Sequence, residues 1–232
     1  MLIEILDDFD LEKIALSGQC FRVKRMQDDG YRFIFGDEVL YIREIGNHRF
    51  SVSCSLDAWR NTWSFYFDLN RSYNDIFEME CDKHQFIHEA MLYGRGLRIL
   101  RQDPWEMLIT FIISQRKNIP AISKSIEMLA SKFGHCIKTG YETLYSFPSP
   151  LEMSCATDEK LAECGLGYRT PYILDAIQQV LTGSLDLEAL LDCNDEQLLE
   201  TLQKVHGVGK KVANCVALFA YGRTSCVPID IW

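Results

Sequence analysis

The sequence predicts an α+β protein with an antiparallel sheet at its N-terminal end and a mostly helical remainder. Three observations carry that reading. The stretch "YRFIFGDEVLYIREIGNHRFSVSCS", residues 31 to 55, alternates apolar and β-branched runs with Gly-Asp and Gly-Asn breaks, the pattern of hairpins in a meander. From about Gln85 the apolar period changes to i, i+3, i+4, which is helical. Near the end, "LLETLQKVHGVGKKVANCVALFAYG", residues 198 to 222, reads as two amphipathic helices joined by a connector so short that the second folds back across the first.

In chain order, strands are expected near 20 to 25, 31 to 36, 38 to 44 and 49 to 54. The polar stretch from Cys81 to Gln85 is the natural seam, giving an N-terminal sheet domain over 1–84 and a helical domain over 85–232. "PWEMLITFIISQ" and "NIPAISKSIEMLASKFG" open the helical part, each ending in turn chemistry. Further helices are expected at 142–147, 158–164, 171–181, 186–191, 195–205 and 210–221, the last two forming a helix-hairpin-helix over 195–221. The sequence stops within "VPIDIW", where Asp230 has the character of an N-cap opening another helix, so the helical domain reads as truncated at its C-terminal end.

Composition narrows the function class. With 232 residues and 47% hydrophobic content the chain can bury a substantial core. No apolar run approaches the roughly 18 residues of a membrane span, and the acidic start "MLIEILDDFD" is unlike a signal peptide. The expectation is therefore a cytoplasmic or nucleoid-associated protein, nuclear in a eukaryote, with no membrane partner. Nine cysteines without a C-x-x-C pair support neither a disulfide framework nor a zinc site, and most of them read as small buried residues. The net charge of -9 argues, as a sum, against nucleic acid. Its distribution argues the other way: acids gather at the N-terminus and over 186 to 200, whereas Arg95, Arg98, Arg101, Arg116, Lys117, Lys124, Arg169, Lys204, Lys210, Lys211 and Arg223 mark helix ends and turns.

The hairpin gives those charges a purpose. Gly207 and Gly209 let the backbone take φ > 0 and approach a ligand closely, while the N–H groups opening the next helix form an anion site, so the turn reads as a phosphate cradle. A plain αα-turn accounts for one glycine but not for G-x-G-K-K. Val212, Cys215, Val216 and Phe219 mark the buried face of the second helix. Lys210 lies opposite that face, in water or near phosphate. Lys211 lies on its flank one turn before Cys215, where partial desolvation and a helix N-terminus favour an amine nucleophile.

"HGVGKKVANC…VPID" resembles the hairpin, Gly/Pro-rich loop and aspartate of the base-excision DNA glycosylases. "SGQCFR" (17 to 22), "LRQDPWEMLITFIISQRKNI" (100 to 119) and "GLGYRTPYI" (165 to 173) resemble, in the same order, successive segments of the 8-oxoguanine DNA glycosylase family. The resemblance implies a monomeric enzyme on double-stranded DNA, requiring no cofactor, which flips the damaged base into a pocket. It places Lys211 as the nucleophile, forming a Schiff base that also permits strand cleavage, and Asp230 as the carboxylate that stabilises positive charge on the sugar. Gly18 would present its carbonyl to the N7–H that distinguishes 8-oxoguanine from guanine, and Cys215 would pack on the base. Gly207, Gly209 and Val212 would hold a phosphate through backbone N–H groups, with a monovalent cation at the two glycines and Lys210 nearby. Arg116, Asn118, Tyr168 and Arg169 would face DNA, Arg169 reading the opposite cytosine and Tyr168 acting as a wedge, while Ala121 stands where the family's better-known eukaryotic members keep an arginine. Two alternatives remain open at this point: a hairpin glycosylase for adenine, oxidised pyrimidines or alkylated bases, and a non-catalytic hairpin module that tracks the DNA backbone.

Overall fold

The computed structural model describes residues 1–80 and 84–229, and the chain packs as two compact units, Met1–Arg101 and Gln102–Trp232. The first unit is built on a five-stranded antiparallel sheet: β1 (Leu2–Glu4), β2 (Lys24–Arg25), β3 (Tyr31–Phe35), β4 (Glu38–Gly46) and β5 (Arg49–Val52), in the order β1-β5-β4-β3-β2. β3 and β4 pair in register from Phe35↔Glu38 to Tyr31↔Ile42, and Gly36, at φ +57°, makes the two-residue turn between them. The meander follows the sequence expectation; β1, which adds to β5, is an extra strand too short to show a period. Helix α1 (Leu11–Leu16) starts at Asp10, whose carboxylate accepts from Lys13 N at 2.9 Å, and buries Leu11, Ile14 and Ala15.

One face of the sheet is covered by a helical stretch that the sequence did not announce. Helices α2 (Leu56–Ala58) and α3 (Ser64–Tyr66) flank a π-helical turn over Trp59–Trp63. Trp59, Trp63, Tyr66 and Phe67 all reach the core with Phe33 and Phe50. The rings meet edge-on, Phe33 with Phe67 at 5.2 Å and Tyr66 with Phe67 at 5.2 Å, the geometry that aromatic quadrupoles favour. Helices α4 (Tyr73–Glu80) and α5 (Gln85–Gly94) follow, and the unit closes on Arg98. That guanidinium is fully buried. It donates to the carbonyls of Asp8 (2.8 Å), Phe67 (2.9 Å), Asp68 (2.5 Å) and Arg71 (2.7 Å) and to Asp7 Oδ2 (3.0 Å). Arg95 donates to both carboxylate oxygens of Asp8, from Nε to Oδ2 and from Nη2 to Oδ1, each at 2.8 Å. These bonds explain why residues 85 to 101, grouped by sequence with the helical part, pack with the first unit instead.

The second unit is helical: α6 (Pro104–Ser114), α7 (Ile119–Phe133), α8 (Asp158–Glu163), α9 (Thr170–Leu181), α10 (Asp195–Leu202) and α11 (Lys210–Phe219). Its centre is α6, buried along nearly its whole length and packed against α7, α9 and α11. Asp103, Asn118, Thr157 and Asn194 cap α6, α7, α8 and α10, each accepting a backbone N–H three residues on. The expected helix at 142–147 is instead strand β7 (Thr143–Tyr145), antiparallel to β6 (Cys136–Lys138). Its exposed, buried, half-buried order over Thr143, Leu144 and Tyr145 is an alternation, and three residues with one buried leucine cannot support a helix. The expected helix at 186–191 is reduced to a single 3₁₀ turn, Ala189–Leu191.

Candidate active site and nucleic-acid interface

The hairpin of the second unit is formed by α10 and α11. After α10, Val205 N donates to Leu202 O at 3.2 Å and Val208 N to Val205 O at 3.0 Å, so the connector is a tight series of turns. The two glycines do different things. Gly207 has φ +82°, and a Cβ there would lie 2.3 Å from the Tyr172 ring, so both backbone and packing demand glycine. Gly209 is extended, φ −90° and ψ −179°, with nothing within 4 Å of a would-be Cβ. The positive φ that both glycines permit is thus used at Gly207 and not at Gly209. Gly209 is the N-cap of α11 and offers no capping side chain. No helical carbonyl can reach the N–H groups of the first turn, and the space where a Cβ of Gly209 would stand is open.

Lys210 and Lys211 open α11 and are both exposed. Partial desolvation of Lys211 was expected. It is not found, because Lys211 sits in the first turn, ahead of the packed residues Val212, Ala213, Cys215, Val216 and Ala217. Lys211 precedes the buried Cys215 by one helical turn, so both lie on one side of α11. Phe219 is only half-buried and stacks on Phe111 of α6, ring centroids 5.7 Å apart and planes within 16°. Asp230 lies outside the described residues.

Behind the hairpin stands a polar and aromatic assembly. His206 N donates to Asp175 Oδ2 at 2.9 Å, and the His206 ring meets Tyr172 at 4.5 Å. Tyr172 in turn meets Tyr168 edge-on at 6.1 Å. Tyr168 is half exposed, as a wedge would need to be, and its hydroxyl donates to Gln115 O at 3.4 Å. Arg169, expected to reach outward, is 6% exposed. Its guanidinium lies over the Tyr168 ring at 4.4 Å and donates to the carbonyls of Leu166 (3.2 Å) and Gln115.

Between α6 and α7 the chain turns through Arg116, exposed and left-handed at φ +51°. Asn118, placed by sequence among the DNA-facing residues, uses its side-chain oxygen to cap α7 by accepting from Ala121 N at 3.0 Å. Lys117 turns inward, its ammonium donating to Ser125 Oγ at 2.5 Å and Gly165 O at 2.9 Å. Burial, with repulsion from Arg169 behind it, lowers the Lys117 pKa from the usual lysine value. Sequence reasoning missed Gln115, Tyr172 and the His206–Asp175 contact. The four-residue spacing of Tyr168 and Tyr172 was the available signal.

Gly18 belongs to the first unit. It follows α1 at φ +79°, so its backbone requires glycine whatever it binds. The next residue fixes the segment: Gln19 Nε2 donates to Ser17 Oγ at 2.9 Å and Arg98 O at 2.8 Å, and its Oε1 accepts from Leu100 N at 2.8 Å. The second unit brings together Lys211 and Cys215 on one helix, and Gly207, Gly209, Lys210 and Val212 at one turn. Arg116 and Asn118 share the α6–α7 turn, and Tyr168 and Arg169 share another. Among the described residues no cluster of three or more His, Cys, Asp or Glu is arranged to hold a metal ion.

Comparison with known proteins adds to this geometry. Residues 1–108 match the family model described as the 8-oxoguanine DNA glycosylase N-terminal domain. An N-glycosylase/DNA lyase of Saccharomyces cerevisiae is 36% identical over 190 residues, 75% of this chain and 50% of that protein, so the chain spans half the length of this relative. A structure of MBOgg1 with a low-affinity DNA ligand matches all of this chain and 80% of its own at 37% identity, with a TM-score of 0.94. The apo 8-oxoguanine glycosylase/lyase of Clostridium acetobutylicum matches all of this chain and 81% of its own at 34% identity, with a TM-score of 0.95. The same Clostridium protein, bound to duplex DNA with cytosine opposite 8-oxoguanine, has a TM-score of 0.92.

Proposed function

The chain belongs to the 8-oxoguanine DNA glycosylase family, and from that premise we propose that it excises 8-oxoguanine from duplex DNA and then cleaves the strand as a lyase. The observation that carries this is the start of α11. An exposed lysine stands in the first turn behind an uncapped glycine, one turn ahead of a buried thiol. The N–H groups before Lys211 hold a phosphate, which fixes the sugar, and the flipped base lies toward Cys215. The Lys211 amine attacks the anomeric carbon. A nitrogen–carbon bond forms as the glycosidic bond breaks, its electron pair leaving on the base, which takes up the proton that the attacking nitrogen sheds. Opening of the sugar ring gives the imine, and loss of a proton from the adjacent carbon expels the 3′ phosphate by β-elimination.

Asp230 is proposed to stabilise the positive charge on the sugar. The Gly18 carbonyl is proposed to accept N7–H of the lesion; guanine would leave that acceptor unpaired, which is the costly outcome that gives specificity. A monovalent cation at the hairpin would be held by carbonyl oxygens. Gly207 O already accepts from Gln115 Nε2 and Gly209 O from Ala213 N, leaving each one lone pair for an ion.

Borohydride trapping tests the reading. Lys211→Gln is expected to keep duplex binding and lose both excision and the covalent complex. Lys210→Gln is expected to weaken binding and lessen its salt dependence while still trapping. Robust trapping by Lys211→Gln would sink the assignment, and binding by the wild type with neither excision nor trapping would leave only a module that tracks the DNA backbone.

A further inference from the structure

We infer that Gln115 is a positioning residue that ties the hairpin turn to the Tyr168–Arg169 turn and thereby sets how strictly the base opposite the lesion is read. The inference rests on the proposed excision of 8-oxoguanine.

Gln115 ends α6, and three segments remote in sequence meet on it. Its side-chain amide donates to Ile112 O at 3.2 Å and to Gly207 O at 3.1 Å. Its main-chain carbonyl accepts from the Tyr168 hydroxyl at 3.4 Å and from the Arg169 guanidinium. One residue therefore touches the phosphate-facing turn through its side chain and both opposite-strand candidates through its backbone. A second contact runs beside it: the Tyr172 ring fills the space in front of Gly207 and meets Tyr168. The two turns are thus held by one apolar wedge and one polar tie.

The tie also bears on Arg116. That residue is left-handed without being glycine, a conformation that persists only where its surroundings over-determine it. Gln115 anchors it on one side. Lys117 anchors it on the other through Ser125 Oγ and Gly165 O. Release of the Gln115 amide frees Gly207 from α6, and the carbonyl that holds Arg169 and Tyr168 moves with the same backbone. The distance from gripped phosphate to reading guanidinium then becomes variable, and selectivity between opposite bases falls before excision itself does.

The side-chain chemistry makes the role testable. Methionine matches glutamine in length but donates no hydrogen bond; glutamate matches it in shape but sets oxygens against two carbonyls; asparagine is one methylene too short. Gln115→Met, Gln115→Glu and Gln115→Asn are compared with wild type by thermal unfolding and by single-turnover excision on duplexes carrying cytosine, adenine, guanine or thymine opposite 8-oxoguanine. The quantity read is the ratio of the rate opposite cytosine to that opposite adenine. It is expected to fall roughly fivefold in Gln115→Met and Gln115→Asn, the effect of one lost hydrogen bond, and further in Gln115→Glu, with borohydride trapping retained. A merely structural role lowers all four rates together. An active wild type whose ratio is unchanged in every folded variant, or which shows no preference to begin with, overturns the role of Gln115 alone. A wild type that neither excises nor traps overturns the proposed activity and this role with it.

Discussion

Two glycines separated by one residue have opposite reasons for being glycine, and substitution should tell them apart. Gly207→Ala forces a side chain into a left-handed residue and against the Tyr172 ring, so it is expected to cost at least about 2 kcal/mol of stability. Gly209→Ala meets no atom and needs no special φ, so the melting temperature should hold. Its methyl group would stand where the phosphate is proposed to lie, and duplex affinity should drop. Thermal unfolding and fluorescence anisotropy on both variants check the pair. The G-x-G-K-K pattern was legible as a tight turn opening a helix, but a sequence cannot say which of the two glycines packing demands. Arg169 was hidden in the same way, because its inward turn depends on carbonyls from Leu166 and from Gln115, the latter far away in sequence.

At the scale of elements, α6 shows how a cap behaves when it is buried. Asp103 accepts from Glu106 N at 2.8 Å, yet burial pushes its carboxyl above the usual aspartate value, outweighing the Glu106 and Trp105 N–H groups. A carboxyl raised on folding contributes most below its unfolded pKa and loses that contribution as pH rises through its folded value. Asp103→Asn, which caps without ionising, is therefore expected to match or exceed wild-type stability at neutral pH and to lose that advantage in acid. Asp103→Ala should cost about 1 kcal/mol in acid and less at neutral pH, where the wild-type carboxyl has lost that contribution. Denaturant unfolding across pH decides it. Most helices of the second unit were readable because their caps and apolar period agree. The strand at Thr143–Tyr145 was not, since three residues carry too little period, and the helical turns from Leu56 to Tyr66 were masked by an aromatic run that serves sheet-facing packing.

For the whole molecule, net charge misleads and distribution informs: a chain of charge -9 still presents Lys210, Lys211 and Arg116 exposed in its second unit. Reading of the opposite base should be looser than where three polar side chains do the work, because Ala121 supplies no donor and Arg116 can only donate. Each good bidentate base contact is worth roughly 1 to 3 kcal/mol. Excision is expected to be fastest opposite cytosine, with appreciable rates opposite the other three bases and a further levelling in Arg169→Ala. Single-turnover rates on four duplexes check this; a sharp cytosine preference that survives Arg169→Ala would move the reading to other residues.

The buried guanidinium of Arg98 has a consequence in time. Its acceptors lie at residues 7, 8, 67, 68 and 71, and the main chain at 98 and 100 in turn holds Gln19. The sheet is complete by Val52, but the groups that fasten its flanking segments arrive almost fifty residues later. On the ribosome, the bonds that fasten the first unit can form only after the whole sheet has been made. Closure of the unit is expected only once residues 98 to 100 have left the exit tunnel, by which time α6 has already been synthesised.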